Sequence, residues 1–236
     1  MQQILIIVVI FLAVFTQSLS GFGVALVAMA LLPEVVSIQV ATPLVALVAG
    51  TLEVILLLRY RHSLNVKAVW RIVLASILGI PLGVWALSRF DEKLVITLLG
   101  VVITGYALYG LLELKLPELN HPAWAYGLGF LAGALGGAYN TSGPPVIIYG
   151  NCRRWAPKEF KSNLQSFFLV NSLLVIAGHA WNQNFTTAVL NDYLVVLPVI
   201  GLGILAGVSL DKVINPAMFR KLVLWLLIFM GLRLIF

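Results

Sequence analysis

The chain has 236 residues, of which 61% are hydrophobic and 10% are charged. A soluble domain normally carries about 25% charged residues because it must cover its surface with them. The composition therefore excludes a soluble enzyme, a disordered protein and a nucleic-acid-binding protein. The net charge of +6 rests on 15 basic and 9 acidic residues, and in membrane proteins such an excess reports the orientation of the loops. The sequence predicts an all-α, polytopic membrane protein with one membrane domain over residues 1–236.

Eight apolar segments follow one another along the chain, separated by charge clusters and by Pro and Gly. A membrane-crossing helix needs about 20 mainly apolar residues. The first segment follows Met1-Gln2-Gln3 without the basic start of a signal peptide, so we expect it to be retained in the fold. The predicted segments are residues 4–32, 36–58, 67–88, 94–112, 123–150, 160–180, 188–209 and 217–236.

The first and fifth segments contain sequences that are unfavourable inside a helix. Residues 18–23, Ser-Leu-Ser-Gly-Phe-Gly, interrupt the first, and residues 139–145, Tyr-Asn-Thr-Ser-Gly-Pro-Pro, interrupt the fifth. Gly costs about 1 kcal/mol in a helix interior and Pro about 3 kcal/mol. Because roughly a dozen residues precede each break, we expect half-helices that extend about 18 Å.

Two glycine pairs indicate an internal repeat. Gly79 and Gly83 in the third segment match Gly203 and Gly207 in the seventh at an offset of 124 positions. The Ser-Gly pairs at 20–21 and 142–143 have a similar offset of 122 positions. Similar offsets and the same order of elements predict a duplication, with repeat 1 over residues 1–113 and repeat 2 over residues 122–236.

The basic links predict how the repeats are oriented. Three links, at residues 59–71, 153–161 and 211–221, are rich in Lys and Arg, and the positive-inside rule places all three in the cytoplasm. If all eight segments cross the membrane, three crossings separate the first link from the second, and these two links would lie on opposite sides of the membrane. The cytoplasmic placement holds if each repeat has one re-entrant, broken helical hairpin and three transmembrane helices. Three is an odd number, so the two repeats are then inverted, as in many secondary transporters.

The two breaks are predicted to bind an anion. Half-helix N-termini carry free N–H groups and the positive end of the helix dipole, and such ends bind anions. No Lys or Arg lies near the middle of an apolar segment, so we expect amides, hydroxyls and dipoles to hold the anion. The alternative is that these Gly and Pro residues are only kinks or packing points. The expected tip residues are Ser20, Gly21, Phe22 and Gly23 in the first break, and Asn140, Thr141, Ser142, Gly143 and Pro144 in the second.

Polar side chains of the second and sixth segments are expected to line the walls of this site. Gln39 and Thr42 share one face of the second segment. At an offset of about 123 positions, the sixth segment carries Asn163, Gln165 and Ser166.

Glu53 is the only carboxylate well inside an apolar segment. An ionisable residue at such a place is a functional candidate, and proton coupling is one interpretation. The other is an interfacial ion pair with Arg59 or Arg61. For Ser172 and its neighbour Asn171, hydrogen bonding between helices is the favoured interpretation.

The sequences at the breaks resemble those of a known family. Ser20-Gly21-Phe22-Gly23, the stretch from Gly136-Gly137 to Ser142-Gly143-Pro144-Pro145-Val146, and the basic link before the sixth segment are similar to the TauE/SafE sulfite exporter family of bacterial and archaeal membrane permeases. The resemblance covers both halves of the chain. It implies transport, often export, of sulfite, sulfonates or related anions by a multi-pass protein of the prokaryotic plasma (inner) membrane.

The expected function is secondary transport of a small sulfur oxyanion by alternating access between two inverted repeats. The expected partners are that anion and membrane lipid, with no nucleic acid, no cofactor and no metal, and no enzymatic activity is expected. The sequence leaves open whether the chain forms a homodimer. Two other functions also stay open, a passive anion channel and a membrane-embedded enzyme that acts on a lipid-linked phosphate.

Overall fold

The computed structural model describes residues 1–60, 64–114, 116–210 and 213–236, and every regular element within these ranges is helical. All eight predicted segments are present as helices, the first and the fifth as broken pairs. A 3-10 turn, Leu32–Glu34, follows α2. The helices are α1 (Gln2–Ser20), α2 (Val24–Leu31), α3 (Ile38–Tyr60), α4 (Val66–Arg89), α5 (Glu92–Leu112), α6 (Pro122–Tyr139), α7 (Gly143–Cys152), α8 (Pro157–Trp181), α9 (Thr187–Leu210) and α10 (Pro216–Ile235).

Six of the described helices are long and apolar enough to cross a membrane, namely α1, α3, α4, α5, α8 and α9. Large apolar side chains on their surfaces are exposed, among them Leu78, Leu194 and Leu205. A water-soluble protein would bury such faces, whereas lipid solvates them. The chain is therefore an all-α, multi-pass membrane protein.

The first helix of each broken pair is longer than the sequence predicted. Helix α1 has 19 residues and α6 has 18, so each extends about 27–29 Å, and the expectation of a dozen residues is wrong. No Pro or Gly lies between Gln2 and the break in α1. Helix α6 continues through Gly129, Gly133 and Gly137, because all three pack against the backbone of α4. The second helices are short, with 8 residues in α2 and 10 in α7.

The chain forms two compact units. Unit 1 consists of Met1–Val48, Phe90–Leu114 and Phe185–Phe236, and unit 2 consists of Ala49–Arg89 and Lys115–Asn184. Each unit contains one broken pair, α1 and α2 in unit 1, and α6 and α7 in unit 2. Each unit also combines helices from both halves of the sequence.

Unit 2 is held together by close packing of α4 on α6. A Cβ atom on Gly83 would collide with the carbonyl oxygen of Ala134 and lie 2.7 Å from the backbone nitrogen of Ala138. A Cβ atom on Gly79 would meet the carbonyl oxygen of Phe130. The glycines therefore let the two helix backbones touch, which is the usual role of small residues between membrane helices.

Unit 1 has the corresponding contact between α9 and α1. A Cβ atom on Gly203 would lie 2.8 Å from a methyl carbon of Val14, and one on Gly207 would lie 2.9 Å from the carbonyl oxygen of Phe15. Helices α5 and α10 of the same unit also pack closely, with Gly100 against the carbonyl oxygen of Gly231. Each unit thus carries its break on a rigid, glycine-packed helix pair.

Candidate functional site

The break in unit 1 is a turn built by two glycines in left-handed conformation. Gly21 ends α1 with φ 87°, and its N–H donates to the carbonyl oxygen of Gln17 at 2.7 Å. Gly23 precedes α2 with φ 117°. Residues with a Cβ atom rarely adopt these angles. The Ser20 hydroxyl lies 2.7 Å from the Thr16 carbonyl oxygen and 2.6 Å from that of Phe22, which ties the turn to α1.

The start of α2 is partly capped by a side chain of α1. The N–H of Val24 donates to Oε1 of Gln17 at 3.0 Å, so this amide is not available to an anion. Gln17 is buried, and its Nε2 atom has no hydrogen-bond partner among the described residues. The amides of Ala25 and Leu26 lack an intrahelical partner, as at any helix start. The sequence predicted neither the cap nor the buried amide.

A narrow crevice of about 10 Å³ lies beside the break of unit 1, with room for about one water molecule. Ser20, Phe22 and Gly23 line it from the break, while Tyr106 comes from α5 and Arg220 from α10. The edge of the Phe22 ring faces Tyr106, with the ring centroids 6.5 Å apart, and Cζ of Arg220 lies 6.0 Å from the Phe22 centroid. The sequence missed Tyr106 and Arg220, because Arg220 stands near a segment end and only the fold brings it to the break.

The break in unit 2 has a different backbone. Asn140 takes the left-handed conformation with φ 58° and donates its N–H to the carbonyl oxygen of Gly136 at 2.7 Å. The bond from Asn140 to Gly136 is that of the αL motif of a helix C-terminus, and the Thr141 N–H donates to the carbonyl oxygen of Leu135 at 3.3 Å. Asn is a common residue at this position because its short polar side chain tolerates positive φ.

Helix α7 begins at Gly143, directly followed by Pro144 and Pro145. Proline has no backbone N–H, so Gly143 supplies the only amide in the first three residues of this helix. The dipole end predicted from the sequence is present, but it offers fewer donors than an ordinary helix start.

Side chains add donors at the break of unit 2. Thr141 is buried, and its hydroxyl has no hydrogen-bond partner among the described residues. The same holds for Nδ2 of Asn171 on α8, whose Oδ1 atom packs against Gly136 next to Ser142. The sequence assigned Asn171 to contacts between helices. The signal that could have placed Asn171 at the break is that a polar residue lies on the buried face of α8, beside Phe167 and Phe168.

The predicted wall residues differ in how far their side chains are buried. In unit 2, Oδ1 of Asn163 accepts the N–H of Asn65 at 3.0 Å, which fixes the start of α4, and the Ser166 hydroxyl donates to the Asn163 carbonyl oxygen at 2.9 Å. Gln165 is fully buried. In unit 1, Thr42 is also fully buried, whereas Gln39 is exposed at the start of α3.

Glu53 is buried in unit 2, and its Oε2 atom accepts a hydrogen bond from the Ser172 hydroxyl at 2.6 Å. This bond joins α3 to α8, which confirms the predicted bonding between helices for Ser172. The alternative ion pair involves Arg61 and the side chain of Arg59, and both lie outside the described residues. Among the described residues, no group of three His, Cys, Asp or Glu side chains could hold a metal ion.

The six candidate spans and the polar break in each unit define a multi-pass helical membrane protein with buried donors at interrupted helices. Such interrupted helices are typical of membrane transporters. The family model described as sulfite exporter TauE/SafE matches residues 6–234, and the chain belongs to this family. The resemblance read from the sequence is thereby confirmed. Members of the family are transporters and not enzymes.

Two curated proteins are similar to the chain. One, from Cupriavidus necator, is named "Probable sulfite/organosulfonate exporter TauE" and is 26% identical over 227 residues, which cover 91% of this chain and 86% of that protein. The other, from Comamonas testosteroni, is named "Probable inner membrane transporter protein TsaS" and is 26% identical over 170 residues, 71% of each chain. No solved structure matches the chain at a significant level.

Proposed function

We propose that this protein is a secondary transporter that exports small sulfur-containing oxyanions such as sulfite or sulfonates. The observation that carries the proposal is the presence, in a chain of the TauE/SafE family, of one polar helix break in each unit. The name of the Cupriavidus relative supports the class of substrate. In this proposal the protein works in the prokaryotic plasma (inner) membrane.

The donors at the breaks suit such an anion. The hydroxyl of Thr141, the amide group of Asn171 and the N–H of Gly143 are neutral hydrogen-bond donors. A sulfite or sulfonate group presents three acceptor oxygens, each of which can accept from more than one donor. Neutral donors hold an anion less tightly than a buried ion pair would, so a transporter can release it.

The short helices support binding near the membrane midplane. Val24–Glu34, which is α2 with its 3-10 turn, and the ten residues of α7 each extend about 15 Å. That is half of a hydrocarbon core about 30 Å thick. In the proposal, α2 and α7 run from one membrane surface to mid-depth as the second halves of re-entrant hairpins, and the longer first halves, α1 and α6, extend beyond that surface.

The glycine contacts support two repeats. Phe130 and Ala134 meet the glycines of α4, whereas Phe11 and Phe15 meet those of α9. Phe11 and Phe130 are 119 positions apart, and so are Phe15 and Ala134. The glycines of α4 and the matching glycines of α9 are 124 positions apart. In the proposal the repeats, residues 1–113 and 122–236, are inverted and transport proceeds by alternating access. The glycine-packed pairs α4–α6 and α1–α9, each of which joins the two repeats, stay intact.

Glu53 is the proposed proton-coupling residue. Its carboxylate is buried and, among the described residues, accepts its hydrogen bond from the Ser172 hydroxyl, so protonation would remove a charge from an apolar place. The substitution Glu53→Gln keeps the size and an acceptor but cannot take up a proton. If Glu53 couples transport to protons, Glu53→Gln abolishes the pH dependence of transport in vesicles for a sulfonate, whose sulfonate group keeps its charge near neutral pH, and full pH dependence in this variant contradicts the role.

Counterflow in proteoliposomes tests the function and separates a carrier from a channel. Uptake of labelled sulfite that is stimulated by unlabelled sulfite inside the vesicle indicates a carrier. Sustained conductance without such stimulation indicates a passive anion channel. Absence of both for sulfite and for sulfonates refutes transport of sulfur oxyanions.

Variants at the break of unit 2 test the proposed binding site. Thr141→Val removes a buried hydroxyl at constant shape, and Ser142→Leu fills the tip. We expect Thr141→Val to weaken sulfite binding about fivefold or more, as for a lost hydrogen bond to an anion, and Ser142→Leu to abolish it. Ser88→Leu, at an exposed serine of the same unit, is the matched control. Wild-type sulfite affinity in both tip variants would remove the site.

A further inference from the structure

The guanidinium of Arg220 places a positive charge at the break of unit 1. Its Cζ atom lies 6.0 Å from the centroid of the Phe22 ring, and its side chain lines the same crevice as Ser20 and Phe22. Across the described ranges no carboxylate forms an ion pair with Arg220, whereas the next residue, Lys221, pairs with Glu113 at 3.5 Å. The charge of Arg220 is therefore uncompensated within the described residues, and it is available to an anion.

The hydroxyl of Tyr106 is the second polar group of this crevice. Tyr106 is 4% exposed, and within the described part of the chain its hydroxyl has no hydrogen-bond partner. Arg220 is close enough to act on it electrostatically. A buried hydroxyl without a partner is costly, because it has lost its bonds to water and gained none. A ligand that accepts a hydrogen bond here would remove this cost.

The ring of Phe22 lies next to both residues. It stands edge-on to Tyr106 at 6.5 Å and next to the Arg220 guanidinium, and the remaining cavity of about 10 Å³ holds no more than one water molecule. Gly21 and Gly23 flank it, both with positive φ. Rotation of the Phe22 side chain about its own bonds can move the ring aside while the Ser20 hydroxyl holds the Phe22 carbonyl oxygen.

We propose that Arg220 and Tyr106 form a second anion-recognition site, in unit 1 and separate from the donors at the break of unit 2, which binds the oxyanion group of the transported compound when the Phe22 ring swings out. The guanidinium donates two parallel N–H groups to two oxygens, and the Tyr106 hydroxyl donates to the third. The identity of the anion rests on the proposed function. That the site attracts an anion rests only on the placement of Arg220 and Tyr106.

Sulfite transport by charge variants is the first test. We expect Arg220→Gln to raise the KM for sulfite about tenfold or more and Tyr106→Phe to raise it about threefold or more. Arg220→Lys keeps the charge but loses the paired N–H groups, so its KM should lie between those of the wild type and Arg220→Gln. Lys221→Gln, the adjacent cation in an exposed ion pair, is the control and should keep the wild-type KM. A wild-type KM in Arg220→Gln, in a protein that transports sulfite, overturns the recognition site and leaves the proposed function intact.

Thiol labelling is the second test and does not depend on transport. Cys152, the single cysteine, is replaced by alanine, and Phe22→Cys provides a thiol at the crevice. The rates of its reaction with an anionic, sulfonate-bearing methanethiosulfonate and with a cationic, trimethylammonium one are compared. Adding Arg220→Gln should lower the ratio of anionic to cationic rate at least about threefold, and adding Lys221→Gln should not.

The two tests separate the two claims. A rate ratio that Arg220→Gln leaves unchanged overturns the anion site, whatever the protein transports. A ratio that falls, in a wild-type protein that moves no sulfur oxyanion, supports the anion site and refutes the proposed function. If Arg220→Gln both raises the KM for sulfite and lowers the rate ratio, the anion site and the proposed function are both supported.

Discussion

The substitution Gly83→Ala is expected to destabilise the protein through the contact between α4 and α6. An added Cβ atom at this position would collide with the carbonyl oxygen of Ala134 and lie 2.7 Å from the nitrogen of Ala138. Both are backbone atoms, so no side-chain rotation can relieve the collision. The two helices must move apart, and the neighbouring contact at Gly79 loosens with them.

The magnitude follows from two opposing effects. Overpacking of a close contact costs about 1–3 kcal/mol, and the upper end, about 3 kcal/mol, applies because backbone must move. Alanine in place of glycine returns about 1 kcal/mol of helix propensity. The expected net loss is about 2 kcal/mol. For a chain of this size this corresponds to a melting midpoint about 4–8 °C lower.

Thermal unfolding in detergent, followed by the loss of the monodisperse size-exclusion peak, measures this change. Gly127→Ala is the matched control in the same unit, because a Cβ atom there has no neighbour within 4 Å. We expect its midpoint to equal the wild-type value or to exceed it slightly. If the midpoints of Gly83→Ala and Gly127→Ala agree within error, the reasoning about backbone contact is refuted.

Three other changes probe single hydrogen bonds and ion pairs. Gln17→Ala uncaps the first amide of α2 and should cost about 0.5–2 kcal/mol, as the loss of a helix cap does; an unchanged melting midpoint would show that the cap does not stabilise the break. Asn163→Leu leaves the Asn65 amide without its acceptor and should cost about 1–3 kcal/mol, with faster proteolysis at the link before α4 as the readout; wild-type proteolysis would contradict this. Arg233→Gln removes an ion pair with Glu34 that is largely exposed and should change the midpoint by less than about 2 °C, as expected for surface pairs; a larger drop would mean that the pair is shielded in the membrane.

The positions of the breaks could be predicted because local chemistry determines them. Gly21, Gly23 and Asn140 take left-handed angles, which few other residues adopt, and this preference is visible in the sequence. Pro144 and Pro145 similarly mark the first turn of a helix. No distant contact is needed for these inferences.

The lengths of the helices and the partners of the polar side chains could not be predicted in the same way. Helix α6 runs through several glycines only because α4 packs against them. Asn163 bonds a residue 98 positions away, and Arg220 reaches Phe22 from the other end of the chain. These are long-range contacts, and hydropathy and spacing along the sequence carry no information about them.

The two prolines at the start of α7 also determine how many backbone donors this helix start leaves without a partner. A backbone N–H without a partner costs several kcal/mol at membrane depth, so an ordinary helix start would need water or a ligand there at all times. With Gly143 as the single amide among the first three residues of α7, the backbone adds little to this cost at the break of unit 2, where the buried Thr141 hydroxyl and Asn171 amide are the donors without partners among the described residues. The prolines therefore let α7 begin inside the protein without a fixed set of water or anion partners for its backbone.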